Sequence, residues 1–138
     1  MNTNKISNLL NFKNNNLKME EKTQYQAPLT KFEEDFESGN KDLFMEIREV
    51  IISYPQMSEL QKSIVTSFAN DNGPICNMRS QKNSVEITLL KGIRMKDKYK
   101  LLTGTGKEMR SILVSEFDKE LIKYYIDQAI TINSKKRR

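Results

Sequence analysis

The clearest pattern in the chain follows Gly39-Asn40, where Leu43, Phe44, Ile47, Val50, Ile51 and Tyr54 recur at the spacing of one helical face. That spacing predicts an amphipathic helix. Pro55 ends it, because proline lacks a backbone donor and disfavours helical geometry in the residue before it. Ser58 with Gln61 then reads as a capping box opening a second helix through Leu60, Ile64, Val65 and Phe68, with Asn70-Asp71-Asn72-Gly73-Pro74 as the turn that closes it. Further on the period drops to two. Ile75 to Met78 and Val85-Glu86-Ile87-Thr88-Leu89 read as strands joined by a hairpin loop over 79–84, and Ser111-Ile112-Leu113-Val114 reads as a third. A last helix is expected from Ser115, with Asp118 in its first turn and Leu121, Ile122, Tyr125, Ile126, Ala129 and Ile130 on one face. The pattern therefore predicts an α+β fold of α-α-β-β-β-α order, a two-layer domain with its helices packed on one face of a small antiparallel sheet.

Residues 1–38 are rich in Asn, Lys, Glu and Gln and carry few clustered apolar side chains. Such a segment buries too little surface to offset its ordering entropy, so it is expected to be a disordered polar arm ahead of a domain spanning 39–132. Residues 133–138 follow as a basic tail. Within the arm, Met19 is a second possible translation start, and no stretch has the continuous apolar length of a membrane span. One cysteine, Cys76, leaves no intramolecular disulfide to form and is expected to be a small buried strand residue. These features together point to a cytoplasmic protein with no membrane partner.

Composition removes much of catalysis. The 138-residue chain contains no histidine, which excludes Ser-His-Asp and Cys-His arrangements, imidazole metal sites and the usual general base near neutral pH. The chain is read as a non-enzyme with no identifiable cofactor. Its formal charge of +5 is concentrated in Lys135-Lys136-Arg137-Arg138 and in the stretch Lys91, Arg94, Lys96, Lys98, Lys100, Lys107 and Arg110, offset there only by Asp97 and Glu108.

Three constellations carry candidate chemistry. Gly104-Thr105-Gly106-Lys107, with Arg110 beyond it, has the composition of an anion-binding loop, since glycines let backbone N–H groups converge while the cations neutralise charge. It lacks the first glycine and the final Ser/Thr of a phosphate-binding P-loop, where Leu101 and Glu108 stand, and it enters a strand rather than a helix. A tight turn aligning the last strand is the competing reading. The basic stretch makes phosphate contact with nucleic acid conceivable, but Tyr99 is its one interleaved stacking residue and no standard RNA- or DNA-binding pattern accompanies it, so a solvated surface ranks ahead of it. On the first helix, Asp42, Glu46 and Glu49 fall at i, i+4 and i+7, placing three hard oxygen ligands on one flank where a cation could be held.

The order of strand 85–90, Lys91-Gly92, a spacer, Leu101-Leu102-Thr103-Gly104-Thr105-Gly106-Lys107-Glu108-Met109-Arg110, a strand and a closing helix with Ala129 near its end resembles the YdhG-like family, also called domain of unknown function 1801. The likeness covers about residues 41–132 and is most specific from Gly104 to Arg110. It implies a compact frataxin-like α+β fold, and for some members a role as an intracellular iron chaperone delivering Fe(II) to an assembly protein. In that light Asp42, Glu46 and Glu49 are the candidate iron ligands. The expectation is a frataxin-like iron carrier. The alternative is a non-enzymatic module that binds an anionic partner, either nucleic acid or a phosphorylated ligand, through Gly104, Thr105, Gly106, Lys107 and Arg110.

Overall fold

The computed structural model describes residues 30–134. Its elements are α1 (Lys31–Phe36), α2 (Lys41–Ile52), β1 (Ser58–Gln61), β2 (Thr66–Asn70), β3 (Gly73–Ser80), β4 (Val85–Leu89), a 3-10 turn at Gly92–Arg94, β5 (Arg110–Val114) and α3 (Lys119–Ser134). The five strands form one antiparallel meander in the order β1-β2-β3-β4-β5, so each pairs with its sequence neighbour. The helices lie on one face of this sheet, as the two-layer α+β reading requires.

Register explains which face is covered. Phe68, Met78, Val85, Ile87 and Leu89 alternate with less buried neighbours along their strands and, with Cys76, Ile112 and Val114, are buried, meeting Phe44, Ile47, Ile51, Ile122, Tyr125 and Ile126 from α2 and α3. The opposite face carries polar side chains that pair across strands: Ser67 with Asn77, Arg79 with Glu86, and Thr88 with Ser111.

Two expectations are corrected. The second helix over 58–68 does not form; β1 and β2 stand there instead. Thr66 and Phe68 are buried while Ser67 and Ala69 are half-buried, a period of two that the sparse apolar spacing Leu60, Ile64, Val65, Phe68 conceals. Ser58, expected to cap a helix, donates its hydroxyl to the Ala69 carbonyl across the β1–β2 ladder at 3.1 Å. Leu60 and Ile64, expected on the helix's apolar face, are 61% and 68% exposed. A bidentate ion pair at 2.7 Å from Arg48 to Glu59 fastens β1 to α2.

The second correction concerns the arm. Residues 30–38 are ordered: Thr30 and Glu33 form a reciprocal capping box at 2.9 and 3.2 Å, and α1 buries Asp35 and sets Phe32 edge-on to Phe44. The rest of the expected arm, 1–29, lies outside the described residues. The α-α-β order is thus kept by a different first helix. Asp35 is 1% exposed with Lys31 Nζ 3.0 Å away; burial raises its carboxyl above the usual range, and Lys31 only partly opposes that.

Candidate functional site

Asp42, Glu46 and Glu49 lie along one exposed flank of α2, as their spacing requires. Among the described residues, no group of three or more His, Cys, Asp or Glu side chains is placed to hold a metal ion. The three carboxylates share a surface without converging on a point.

The glycine segment forms a turn. Thr103 bridges Ser111 through paired backbone hydrogen bonds of 2.8 and 2.9 Å, and Gly104 adopts φ +123°, a conformation that side-chain-bearing residues rarely reach. Arg110 folds back to donate from Nη1 to the Gly106 and Met109 carbonyls at 2.6 and 2.7 Å. Its Nη1 is therefore engaged in closing the turn on backbone carbonyl oxygens. Thr105, Gly106 and Lys107 stay exposed.

The preceding stretch is built differently from the plain linker that its sequence suggests. Residues 91–98 run antiparallel along α3 and are tied to it at three levels. Lys91 Nζ donates to Asn133 Oδ1 at 3.1 Å, the Lys96 backbone exchanges hydrogen bonds with the Gln128 amide at 2.8 and 3.1 Å, and the Lys98 amide donates to Tyr124 Oη at 3.1 Å. Asp97 turns inward. It accepts from Tyr125 Oη at 2.6 Å and from the Leu101 and Leu102 amides, so it fixes the end of the strap, where Lys100 adopts φ +61°. Burial pushes the Asp97 carboxyl up, but these donors and the Lys100 charge outweigh it and hold it below the usual carboxylate range; burial and the Asp97 hydrogen bond and charge push the Tyr125 phenol well above its own.

Arg94, Lys96, Lys98 and Lys100 are all exposed, and none forms an ion pair among the described residues. Lys98 Nζ sits over the Tyr99 and Tyr124 rings, 5.1 and 5.3 Å from their centroids. From Asn133 to Tyr124 the helix advances by nine residues, about 14 Å, and that is the length of the strap.

Gly92 permits this path. A Cβ there would lie 2.5 Å from Arg110 Cβ, and the Ile93 amide donates to the Glu108 carbonyl at 3.0 Å, so the start of the strap and the glycine turn are packed together. Sequence reasoning missed the clamp on α3. Asn133 was assigned to the tail, yet it is 3% exposed and donates from Nδ2 to the Asn72 and Pro74 carbonyls at 3.3 and 3.1 Å while accepting from Lys91. Polar residues at a chain's end give no pattern by which such a clamp is found. Cys76 is buried as expected, and burial raises its thiol to about 12, which leaves it an inert core residue.

No family model, curated protein or solved structure matches this chain.

Proposed function

We propose that this chain is a non-catalytic binding module for an anionic partner, received on the strap formed by Arg94, Lys96, Lys98 and Lys100. One observation carries the reading: four exposed cations, Arg94, Lys96, Lys98 and Lys100, stand against a single carboxylate, Asp97, on a segment fastened along a helix. A fastened segment presents its charges without the ordering entropy that a free loop would lose on binding. Lys107 on the glycine turn extends the charge, whereas Arg110 serves the turn's shape. The phosphate groups of an anionic ligand suit compact ammonium donors of this kind.

The test is binding of inorganic polyphosphate, followed by calorimetry at low and at physiological ionic strength. Affinity that falls steeply with salt, and that is lost when Lys96, Lys98 and Lys100 are changed to Gln, supports the reading. Absence of binding at low salt rejects it.

A second reading is carriage of Fe(II) on Asp42, Glu46 and Glu49, which has in its favour that all three carboxylates are solvent-exposed on one helix flank, where a labile cation can be taken up and released. Anaerobic calorimetry with Fe(II) on the triple alanine variant decides it. Heat that is unchanged in the variant removes these ligands.

A further inference from the structure

Two half-exposed apolar side chains stand where the strap begins. Ile93, in the 3-10 turn Gly92–Arg94, is 52% exposed, and its amide donates to the Glu108 carbonyl at 3.0 Å, which sets it beside Met109, itself 51% exposed. Around this pair five exposed cations, Arg94, Lys96, Lys98, Lys100 and Lys107, outnumber two carboxylates, Asp97 and Glu108. Apolar side chains set among cations gain nothing from phosphate alone. They suit a partner that has hydrocarbon beneath its negative charge.

We infer that the anionic partner is the surface of an anionic lipid bilayer, with Ile93 and Met109 entering the headgroup region while the strap cations meet lipid phosphates. This rests on the anion-binding reading above. Three observations favour a bilayer over an acidic protein, a nucleic-acid strand or a compact phosphorylated ligand. Ile93 and Met109 stand on turns and neither lines the cavity at the start of the strap, a space of about 10 Å³ among Pro74, Met95 and Asn133 that holds no more than one water. A protein partner would have to supply a fitted pocket for each projecting side chain, whereas a bilayer yields around both. The tyrosines are taken up by the fold: Tyr99, Tyr124 and Tyr125 pack on one another with ring centroids 5.0, 5.3 and 6.2 Å apart, and Lys98 Nζ lies over Tyr99 and Tyr124, which leaves little ring face on which a base could stack. The cations are spread along the strap instead of converging on one point, so they match a field of headgroups better than a single phosphorylated ligand. No helix among the described residues is long and apolar enough to cross a membrane, and a contact made from one side needs none, so the expectation of no membrane partner, which rests on spanning length, does not reach it.

The experiment is co-sedimentation of the full chain with vesicles of phosphatidylcholine alone and of phosphatidylcholine with about 30% phosphatidylserine, at low and at physiological ionic strength. Two variants separate the contributions. One changes Lys96, Lys98 and Lys100 to Gln; the other combines Ile93→Thr with Met109→Gln, which nearly keep the shape of each side chain and remove its apolar character. Binding is expected on the anionic vesicles only. The lysine variant should bind them about a hundredfold more weakly, roughly fivefold per charge. The Ile93, Met109 variant should lose at least about tenfold on vesicles yet keep its affinity for polyphosphate within about twofold, which also shows that it folds. Because the chain contains no tryptophan, Ile93→Trp places a unique reporter whose emission should shift to the blue on anionic vesicles and stay unshifted with polyphosphate.

Vesicle binding that is undiminished in the Ile93, Met109 variant, or Ile93→Trp emission that does not shift on vesicles, overturns the bilayer assignment. Tighter binding of a single-stranded oligonucleotide or of a poly-glutamate peptide than of anionic vesicles, compared at equal anionic charge, overturns it in favour of nucleic acid or of an acidic protein. Polyphosphate binding without vesicle binding overturns the bilayer and leaves the anion-binding reading standing, whereas failure of polyphosphate itself removes the reading on which the inference rests.

Discussion

The hydrogen bond from Tyr125 to Asp97 is the most demanding test of how the strap is held. Tyr125 is 1% exposed, and its hydroxyl reaches Asp97 Oδ1 at 2.6 Å, a short bond to a charged acceptor. Tyr125→Phe keeps the ring packing and removes one charge-assisted bond, worth about 1.5–3 kcal/mol. Asp97→Ala removes that bond, strands a buried hydroxyl at about 1–3 kcal/mol, and frees the Leu101 and Leu102 amides. The double variant has no stranded hydroxyl, so its destabilisation should fall short of the sum of the singles by about 1.5–3 kcal/mol. Urea unfolding of all four proteins measures the cycle. Because donors hold the Asp97 carboxyl below its ordinary value, its contribution is present above the unfolded carboxylate range and is lost as pH falls through the lowered native value. The coupling should accordingly shrink in acid. A coupling below about 0.3 kcal/mol at neutral pH would refute the claim that this pair fixes the strap.

Gly92→Ala places a methyl 2.5 Å from Arg110 Cβ, an overlap that only a backbone shift relieves; a loss of about 1–3 kcal/mol is expected by thermal unfolding, and near-native stability would show the contact to be yielding. Asn133→Leu leaves the Asn72 and Pro74 carbonyls without their donors and releases Lys91, so a loss of about 2–4 kcal/mol is expected, read by urea midpoint, with faster hydrogen exchange at the β2–β3 turn. Asp35 behaves oppositely to Asp97: its carboxyl is raised by burial, so its contribution is fullest below the unfolded carboxylate value and is lost as pH rises through the raised native one. Asp35→Asn should therefore gain on the wild type as pH rises over that window, and a gap between the two midpoints that stays constant with pH would contradict the burial argument. Asp42, Glu46 and Glu49 changed to Ala should alter stability by less than about 0.5 kcal/mol each, since they are exposed and make no ion pairs among the described residues.

By itself the sequence determined whatever repeats within one element. The 3.6-residue period of Phe44, Ile47, Val50 and Ile51 and the alternation of Val85, Ile87 and Leu89 depend only on which side of a helix or strand faces the core, and both were legible. The glycine turn was legible too, because Gly104 at positive φ is a local demand of the backbone. Tertiary structure alone decided the rest. Residues 58–68 became strands because β3 and the Arg48–Glu59 pair supplied partners from outside the segment, overriding a local capping signal. The candidate site moved for the same reason. Arg110 and Lys98 look alike in sequence, yet Arg110 turns its Nη1 to carbonyls four residues away or fewer, while the Lys98 backbone is held by a hydrogen bond to a helix residue 26 positions on. Which cations are spent on the fold and which remain for a partner depends on contacts between distant segments, and no local period encodes those.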